Sequence, residues 1–262
     1  MKPEYSNLEM MVTAASRLLT DDDLVIVGTG IPLVASSLAK KTHARSMRVL
    51  MEAVAWDCDP EALPFCVADP RAVYNTKWTP TSVEVMGHFL QRGLIDKGFL
   101  GGAQVDKYGN LNSTCIGDYG KPSKRFEGSG GASDIALMAK STIIIMIHEK
   151  RRFVDSVDFI TSPGWYCRRL DGESLAMRSE MGMTGGPYAV VSTLGVMKFD
   201  ETSKVMYVDS YYEALGVDLE TIRAETGFDI DVSRARPIQP PSLEELDTLR
   251  NKVDPEGIYM KY

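Results

Sequence analysis

The stretch "LVIVGTGIPLVASSLAKKTHARSMRVLMEAVAW", residues 24–56, decides the fold. Its first residues, Leu24 to Val27, form a continuous apolar run that ends in glycines, as a buried parallel strand does. Apolar spacing predicts a helix over Leu33 to Lys41, and "RVLME" (48–52) predicts a second buried strand. Strand, glycine turn, helix and strand together predict a right-handed βαβ unit.

The rest of the chain continues the alternation of helices and strands. A helix over residues 6–20, with Ser6 as its N-cap, is predicted before the βαβ unit. Turn residues in "DKYGNLNST" (106–114) and "KFDETSKV" (198–205) predict two hairpins. Further strands are predicted at Lys97–Gly101, Thr142–Ile147 and Val157–Thr161, and further helices at Ser133–Lys140, 218–226 and 242–251. The pattern indicates a single α/β domain over residues 1–262, with a mixed, mostly parallel sheet.

Composition excludes several classes of function. The 262 residues carry a net charge of -7, and the pI is near 5.1. Proteins that bind nucleic acid or anionic membranes rely on basic surfaces, so neither partner is expected. The sequence has no run of about 18 apolar residues and no signal-peptide pattern. Four separated cysteines and three histidines form no zinc motif, so we expect a cytoplasmic protein with reduced thiols and no metal.

A first glycine loop, "GTGIP" (28–32), follows the first predicted strand. Gly28 and Gly30 can let the backbone approach a phosphate or a substrate. A dinucleotide fingerprint needs a third glycine, and Leu33 or Val34 stands there instead. The loop therefore indicates a structural turn, or the rim of an active-site cleft, rather than a nucleotide site.

A second glycine loop, "FEGSGGASD" (126–134), precedes a predicted helix that Ser133 could cap. Backbone N–H groups of Gly128, Gly130 and Gly131 at a helix N-terminus would suit a developing oxyanion. An ordinary tight turn is the alternative, and the loop taken alone favours it.

Glu52 poses a separate question, because it follows an apolar strand in which a charge is costly to bury. Open α/β sheets bind their ligands at the carboxyl ends of such strands. The carboxylate could serve as a general base or a nucleophile, or it could be a strand-end glutamate in a salt bridge. Position alone does not choose between these interpretations.

The segment "HEKRRF" (148–153) is a basic cluster at the end of a predicted strand. It could bind a phosphate or a partner subunit, and a solvated strand end is the alternative. His148 by itself is expected to be a hydrogen-bonded structural histidine.

Several stretches taken together resemble the family I CoA-transferases, at the β subunits of the glutaconate CoA-transferase type. The match covers residues 5 to 255. The stretches are "GTGIPLVASSLAKK" (28–41), "VLMEAVAWDCDP" (49–60), "GGAQVDKYGNLNST" (101–114), "IGDYGKPSKRFEGSGGASDIA" (116–136), "IIIMIHEKRRF" (143–153), "DFITSPGW" (158–165) and "ETGFDIDVSRA" (225–235).

The resemblance implies an open α/β/α sandwich and a separate α subunit of related fold, in a heterotetramer or a larger assembly. It also implies that Glu52 attacks an acyl-CoA and passes through a glutamyl-CoA thioester. CoA and acyl-CoA are then substrates, with no permanently bound cofactor and no metal. Gly130, Gly131 and Ala132 match the family's glycine-rich loop, which is suited to the oxyanion.

The residues after the glutamate depart from the family pattern. Relatives usually have a small residue and then glycine, whereas this chain has Ala53 and Val54. We expect these two residues to line the cleft with Gly28 and Gly30. Glycine lets a backbone approach a substrate closely, and valine disfavours a positive φ, so the cleft is expected to differ.

Three functions follow from these observations. The leading hypothesis is a CoA-transferase acting on a small carboxylic or dicarboxylic acid. The second is an acyl-CoA hydrolase, ring-opening lyase or decarboxylase on the same fold, with Glu52 as a general base. The third, of another class, is a non-catalytic scaffold or binding subunit.

Overall fold

The computed structural model describes residues 4–52, 54–169 and 174–260. Ala53, which we predicted to line the cleft, lies outside the described residues. The chain divides into two compact units, the first comprising Met1–Phe99 and Gln239–Tyr262, the second Leu100–Ile238. The single domain over residues 1–262 stays a prediction.

The first unit is built on the predicted βαβ unit, which is confirmed. Strand β1 pairs in parallel with β2 and with β4, and β3 returns antiparallel beside β2. These elements are α1 (Asn7–Ser16), β1 (Leu24–Val27), α2 (Ile31–Lys41), β2 (Arg48–Met51), β3 (Ala55–Trp56) and β4 (Lys97–Leu100). A 3₁₀ turn at Pro70–Val73 and a π-helix at Val83–Leu90 lie between β3 and β4.

Local chemistry explains where the first helices begin. Ser6 caps α1 as predicted: its hydroxyl accepts from the Glu9 N–H, and the Glu9 carboxylate accepts from the Ser6 N–H. Helix α2 begins after Gly30 and has Pro32 in its first turn, where the missing N–H costs nothing. All of β1 is buried, which accounts for its unbroken apolar run.

The second unit contains a larger and a smaller sheet. Strands β9 and β13 run parallel, β13, β14 and β15 are successive antiparallel neighbours, and β16 is parallel to β15. Strands β10, β5 and β6 form the smaller sheet, while β7 pairs with β8 and β11 with β12. The elements are β5 (Gln104–Asp106), β6 (Leu111–Asn112), β7 (Cys115–Ile116), β8 (Lys124–Arg125), α3 (Ala132–Met138), β9 (Ser141–Met146), β10 (Phe153–Val154), β11 (Tyr166–Arg168), β12 (Leu175–Met177), β13 (Pro187–Ser192), β14 (Gly195–Phe199), β15 (Met206–Tyr211), α4 (Leu219–Ala224) and β16 (Arg236–Pro237).

The chain then returns to the first unit through α5 (Leu243–Thr248), which continues as a π-helical turn, Leu249–Val253. Both predicted hairpins are confirmed, as β5–β6 and β14–β15. Gly109, in the β5–β6 turn, has a φ of +78°, and a Cβ there would lie 2.8 Å from the Pro187 side chain. The predicted class, α/β with a mixed and mostly parallel sheet, is confirmed.

Two local predictions were wrong. Residues 157–161 form no strand. The Thr161 N–H donates to the Leu111 carbonyl at 2.8 Å, but the other residues of the segment form no ladder of backbone hydrogen bonds with a neighbouring strand. Ser133 does not cap α3, since the N-cap position is Gly131. The Ser129 hydroxyl oxygen, two residues before that position, accepts from the Ser133 N–H at 3.3 Å.

Candidate active site

Glu52 lies directly after β2, at the carboxyl end of the parallel strands of the first unit. Its N–H donates to the Val27 carbonyl of β1 at 3.0 Å and so extends the parallel ladder by one residue. The Val54 N–H then donates to the Met51 carbonyl at 3.0 Å, and β3 begins at Ala55. Glu52 is therefore the first residue of the tight turn between β2 and β3.

The backbone of Glu52 is strained. Its φ is +40°, in the left-handed region, which costs a residue with a Cβ about 1–2 kcal/mol. Such conformations persist only where neighbouring contacts enforce them, and they cluster at functional sites. The bonds to Val27 and across the turn supply that enforcement. Val54, which stands where relatives usually have glycine, is not among the described residues with a positive φ.

The Glu52 carboxylate is half-buried. No hydrogen bond or ion pair to it occurs within the described part of the chain. The salt-bridge interpretation therefore has no partner there, and both oxygens are available to a reacting group.

The first glycine loop shares the edge on which Glu52 lies. Gly30 has a φ of +96° and occupies the N-cap position of α2, and a Cβ on Gly28 would meet nothing within 4 Å. Space therefore opens beside this loop. Because β1 and β2 are adjacent and parallel, Gly28 and Gly30 follow the strand next to the one that Glu52 follows. Their role in lining the cleft stays a prediction.

Tyr259 lies beside this loop, and no sequence motif drew attention to it. Its hydroxyl donates to the Pro64 carbonyl at 2.6 Å. Burial raises the pKa of the phenol, and hydrogen bonds from Thr29 and from the Gly30 N–H partly oppose this shift. Local sequence gives no sign of this contact, because Tyr259 and Pro64 are 195 positions apart.

The second glycine loop lies in the second unit. Gly128 and Gly130 have φ values of +94° and +50°. The Ala132 N–H donates to the Ser129 carbonyl at 2.9 Å, so it is already engaged. Among the described residues, no acceptor takes the N–H of Gly130 or Gly131. Both N–H groups are thus available to a ligand, and their service to Glu52 stays a prediction.

His148 is the structural histidine that the sequence led us to expect. Its Nδ1 lies 2.9 Å from Ser192 Oγ and its Nε2 lies 3.1 Å from Thr226 Oγ1. The ring stacks on Phe153 with centroids 3.7 Å apart. Burial lowers the pKa of His148 to about 3, so the ring is neutral at physiological pH.

Over residues 4–52, 54–169 and 174–260, no group of three or more His, Cys, Asp or Glu side chains is arranged to hold a metal ion. In the same ranges, every helix is too short or too polar to cross a bilayer.

Comparison with known proteins shows that the chain is similar to CoA-transferring enzymes in sequence and fold. A sequence profile described as coenzyme A transferase matches residues 8–220. The β subunit of glutaconate CoA-transferase from Acidaminococcus fermentans is 39% identical over 98% of this chain and 96% of its own length. The β subunit of 3-oxoadipate CoA-transferase from Pseudomonas knackmussii is 36% identical over 94% of this chain and 92% of its own. A crystal structure of the Acidaminococcus fermentans glutaconate enzyme superposes with a TM-score of 0.89 at 36% identity, covering 100% of both chains.

Proposed function

Because the chain belongs to the coenzyme A transferase family, we propose that it is the β subunit of an enzyme that moves CoA from an acyl-CoA to a small carboxylic or dicarboxylic acid. One observation carries this proposal: Glu52 is held in a strained conformation at the strand edge, with no partner for its carboxylate in the described residues. The similar glutaconate and 3-oxoadipate enzymes are both named after dicarboxylic acids, which supports a dicarboxylic substrate.

The proposed chemistry needs only carboxylates and thiolates. A Glu52 oxygen attacks the thioester carbonyl, which expels CoA thiolate and leaves an acyl-glutamyl anhydride. The thiolate attacks the Glu52 carbonyl, releases the first acid as a carboxylate and forms a glutamyl-CoA thioester. The carboxylate of the second acid then attacks this thioester, expels CoA thiolate and forms a second acyl-glutamyl anhydride. The thiolate attacks the new acyl carbonyl of this anhydride, which gives the new acyl-CoA and releases the Glu52 carboxylate. Bonds and charges balance at each step without a net proton.

The N–H groups of Gly130 and Gly131 are proposed to stabilise the oxyanion of each tetrahedral intermediate. This proposal is supported by the finding that neither N–H group has an acceptor in the described part of the chain. Donors that are fixed before the reaction act strongly, because they need no reorganisation when charge develops. Ala132 is proposed to hold the turn through its bond to Ser129.

We propose a heterotetramer or larger assembly with a separate α subunit, working in the cytoplasm. The support is that each of the similar sequences is one subunit of an enzyme, and that each aligns with nearly the whole of this chain.

Borohydride trapping tests the proposal. The chain is co-expressed with its α subunit, incubated with a panel of acyl-CoA donors and treated with borohydride, which reduces a glutamyl thioester to an alcohol. We expect mass spectrometry to locate the alcohol at Glu52 in the wild type and not in Glu52→Gln. Glu61→Gln, which alters an exposed glutamate of the same unit, is the matched control and should keep both adduct and turnover.

Two results would contradict the transferase. Free CoA and free acid without an adduct would indicate hydrolysis with Glu52 as a general base. Unchanged turnover in Glu52→Gln would indicate that Glu52 is not the nucleophile.

A further inference from the structure

A cavity of about 490 Å³ lies within the second unit, lined by the β7–β8 hairpin and by residues next to β5 and β10. Lys124 and Phe126 line it from the hairpin side, and Arg151 and Arg152 from the side of the smaller sheet. A cavity of this volume can hold a drug-sized organic group.

The charges around this cavity favour an anion. Lys124, Arg151 and Arg152 are positive, and both arginines bond the same oxygen of Glu149, at 2.7 and 3.0 Å. Three positive charges and one negative charge leave an excess of two. The local charge around this cavity is therefore positive, although the net charge of the whole chain is -7. Its density suits phosphate, which carries more than one charge and several acceptor oxygens.

The basic side chains are held on fixed backbone. The Arg152 carbonyl accepts from the Val105 N–H of β5 at 2.7 Å. Arg152 bonds Glu149 through Nε alone, so its terminal nitrogens make no hydrogen bond within the described residues. The Lys124 ammonium lies 5.1 Å from the centre of the Phe126 ring and, over the same residues, has no ion pair.

A second cavity, of about 340 Å³, continues from the first. The two share Ala103, Phe126 and Arg152, and the second extends to Glu127 and Ser113. The chain beyond β8 runs alongside residues 113–114, because the Phe126 and Gly128 N–H groups donate to the Thr114 and Ser113 carbonyls at 2.9 and 3.0 Å.

Side chains alternate along an extended segment, so Lys124 and Phe126 share one face, and both line the first cavity. Lys124 and Gly130 are at most about 20 Å apart even if the chain between them is fully extended. The second cavity reaches Glu127, three residues before Gly130, so the two cavities lead from the basic cluster towards the second glycine loop.

We propose that Lys124, Arg151 and Arg152 bind the phosphates of CoA, and that the pantetheine arm runs past Phe126 to Gly130 and Gly131. This inference rests on the proposed function and names the part of the chain that holds the substrate's nucleotide end. In this inference, the basic residues that follow His148 bind phosphate through Arg151 and Arg152.

The test compares thioesters that differ only in the nucleotide. The complex with the α subunit is assayed with acyl-CoA, acyl-dephospho-CoA and acyl-pantetheine. Lys124→Ala and Arg152→Ala should each lower kcat/KM for acyl-CoA about tenfold, mainly through KM, since one charged contact is lost. Activity with acyl-pantetheine should not change, which also shows that each variant is folded.

Arg125→Ala is the matched control. It removes the same charge from the same strand, but Arg125 bonds the Tyr119 carbonyl and lies over the Tyr119 ring instead of lining the cavity. It should leave all three substrates unaffected. A loss in Lys124→Ala that is confined to acyl-CoA assigns the contact to the 3′-phosphate, and one shared with acyl-dephospho-CoA assigns it to the diphosphate.

Equal losses with all three thioesters, or no loss with any, would overturn the inference. Both results leave the proposed function standing, because the wild type still transfers CoA. If the wild type turns over none of the thioesters, the proposed function itself fails.

Discussion

Glu52 adopts a conformation that glycine would adopt at lower cost, at a position where the proposed chemistry requires a carboxylate. Strand β2 pairs in parallel with β1 up to Glu52, and the chain then reverses direction in the turn that leads into β3. The strain is a consequence of placing a reactive side chain at the first residue of that turn. Function and stability therefore make opposite demands on this position.

Substitution at Glu52 should expose this conflict. Glycine tolerates a positive φ and alanine does not, so we expect Glu52→Gly to exceed Glu52→Ala in free energy of unfolding by about 1 kcal/mol. Both variants should lose transferase activity. Urea unfolding of the two variants measures the difference.

Val54 provides the comparison within the same turn. It has no positive φ, so Val54→Gly should be less stable than Val54→Ala. If the glycine variant were less stable than the alanine variant at both positions, the positive φ of Glu52 would have no measurable effect on stability.

Sequence reasoning reached Glu52 but not its strain. A carboxylate after an apolar strand indicates a site, and the resemblance to a family indicates the nucleophile. The positive φ depends on β3 pairing Trp56 with Leu50, which local composition does not specify.

At the scale of elements, His148 joins the end of β9 to the end of α4 through Thr226. The Thr226 hydroxyl donates to the Ile222 carbonyl at 2.7 Å, so it accepts from Nε2–H of the neutral ring. Nδ1 carries no proton in this tautomer and lies 2.9 Å from Ser192 Oγ. Protonation would add a donor at Nδ1 and a charge in a buried place, so the junction tolerates only the neutral form.

This junction should make stability depend on pH. The pKa of His148 is about 3 when folded and near 6.5 in an unfolded chain. Between these values the unfolded chain binds a proton and the folded chain does not, so stability falls as pH decreases from about 6.5. The slope from this one group is at most about 1.4 kcal/mol per pH unit.

The measurement is the difference in unfolding free energy between wild type and His148→Gln from pH 7 to pH 4. A difference is needed because Asp106, whose pKa burial raises to about 6, acts in the opposite direction. We expect the wild type to lose stability towards acid relative to the variant. His43→Gln, which changes an exposed histidine, should follow the wild type, and a constant difference for His148→Gln would refute the buried neutral ring.

Elements with strong local signals were predictable. The run Leu24–Val27 and the capping box at Ser6 each gave the right element, because burial and capping act over a few residues. The strand predicted at 157–161 failed because its alternating pattern found no neighbouring strand: Phe159 stacks on Tyr119 instead, with ring centroids 5.2 Å apart. Pairing partners are a property of the fold and not of the segment.

For the whole molecule, the family resemblance predicted the class of fold that the structure confirms. The basic cavity could not be predicted from composition, because a net charge of -7 describes the chain as a whole and not its local surfaces. That cavity joins Lys124 to Arg151 and Arg152 across a hairpin and a sheet. Only the folded chain shows that these residues act together.

The first unit also exposes many large apolar side chains between residues 65 and 94. They are Phe65, Val73, Tyr74, Trp78, Val83 and Leu94. Exposed apolar surface of this kind is typical of chains that work in assemblies. We therefore expect the chain alone to self-associate and to be inactive, and co-expression with the α subunit to give a defined, active complex.

Size-exclusion chromatography with light scattering, followed by a CoA-transfer assay on each peak, measures both properties. Glu52→Gln separates assembly from chemistry: it should form the same complex as the wild type and transfer nothing, because the substitution removes only the nucleophile. A monodisperse lone chain with full turnover would refute the two-subunit proposal. A complex that forms and works equally well with Glu52→Gln would instead make this chain the scaffold, and would move the chemistry to the α subunit.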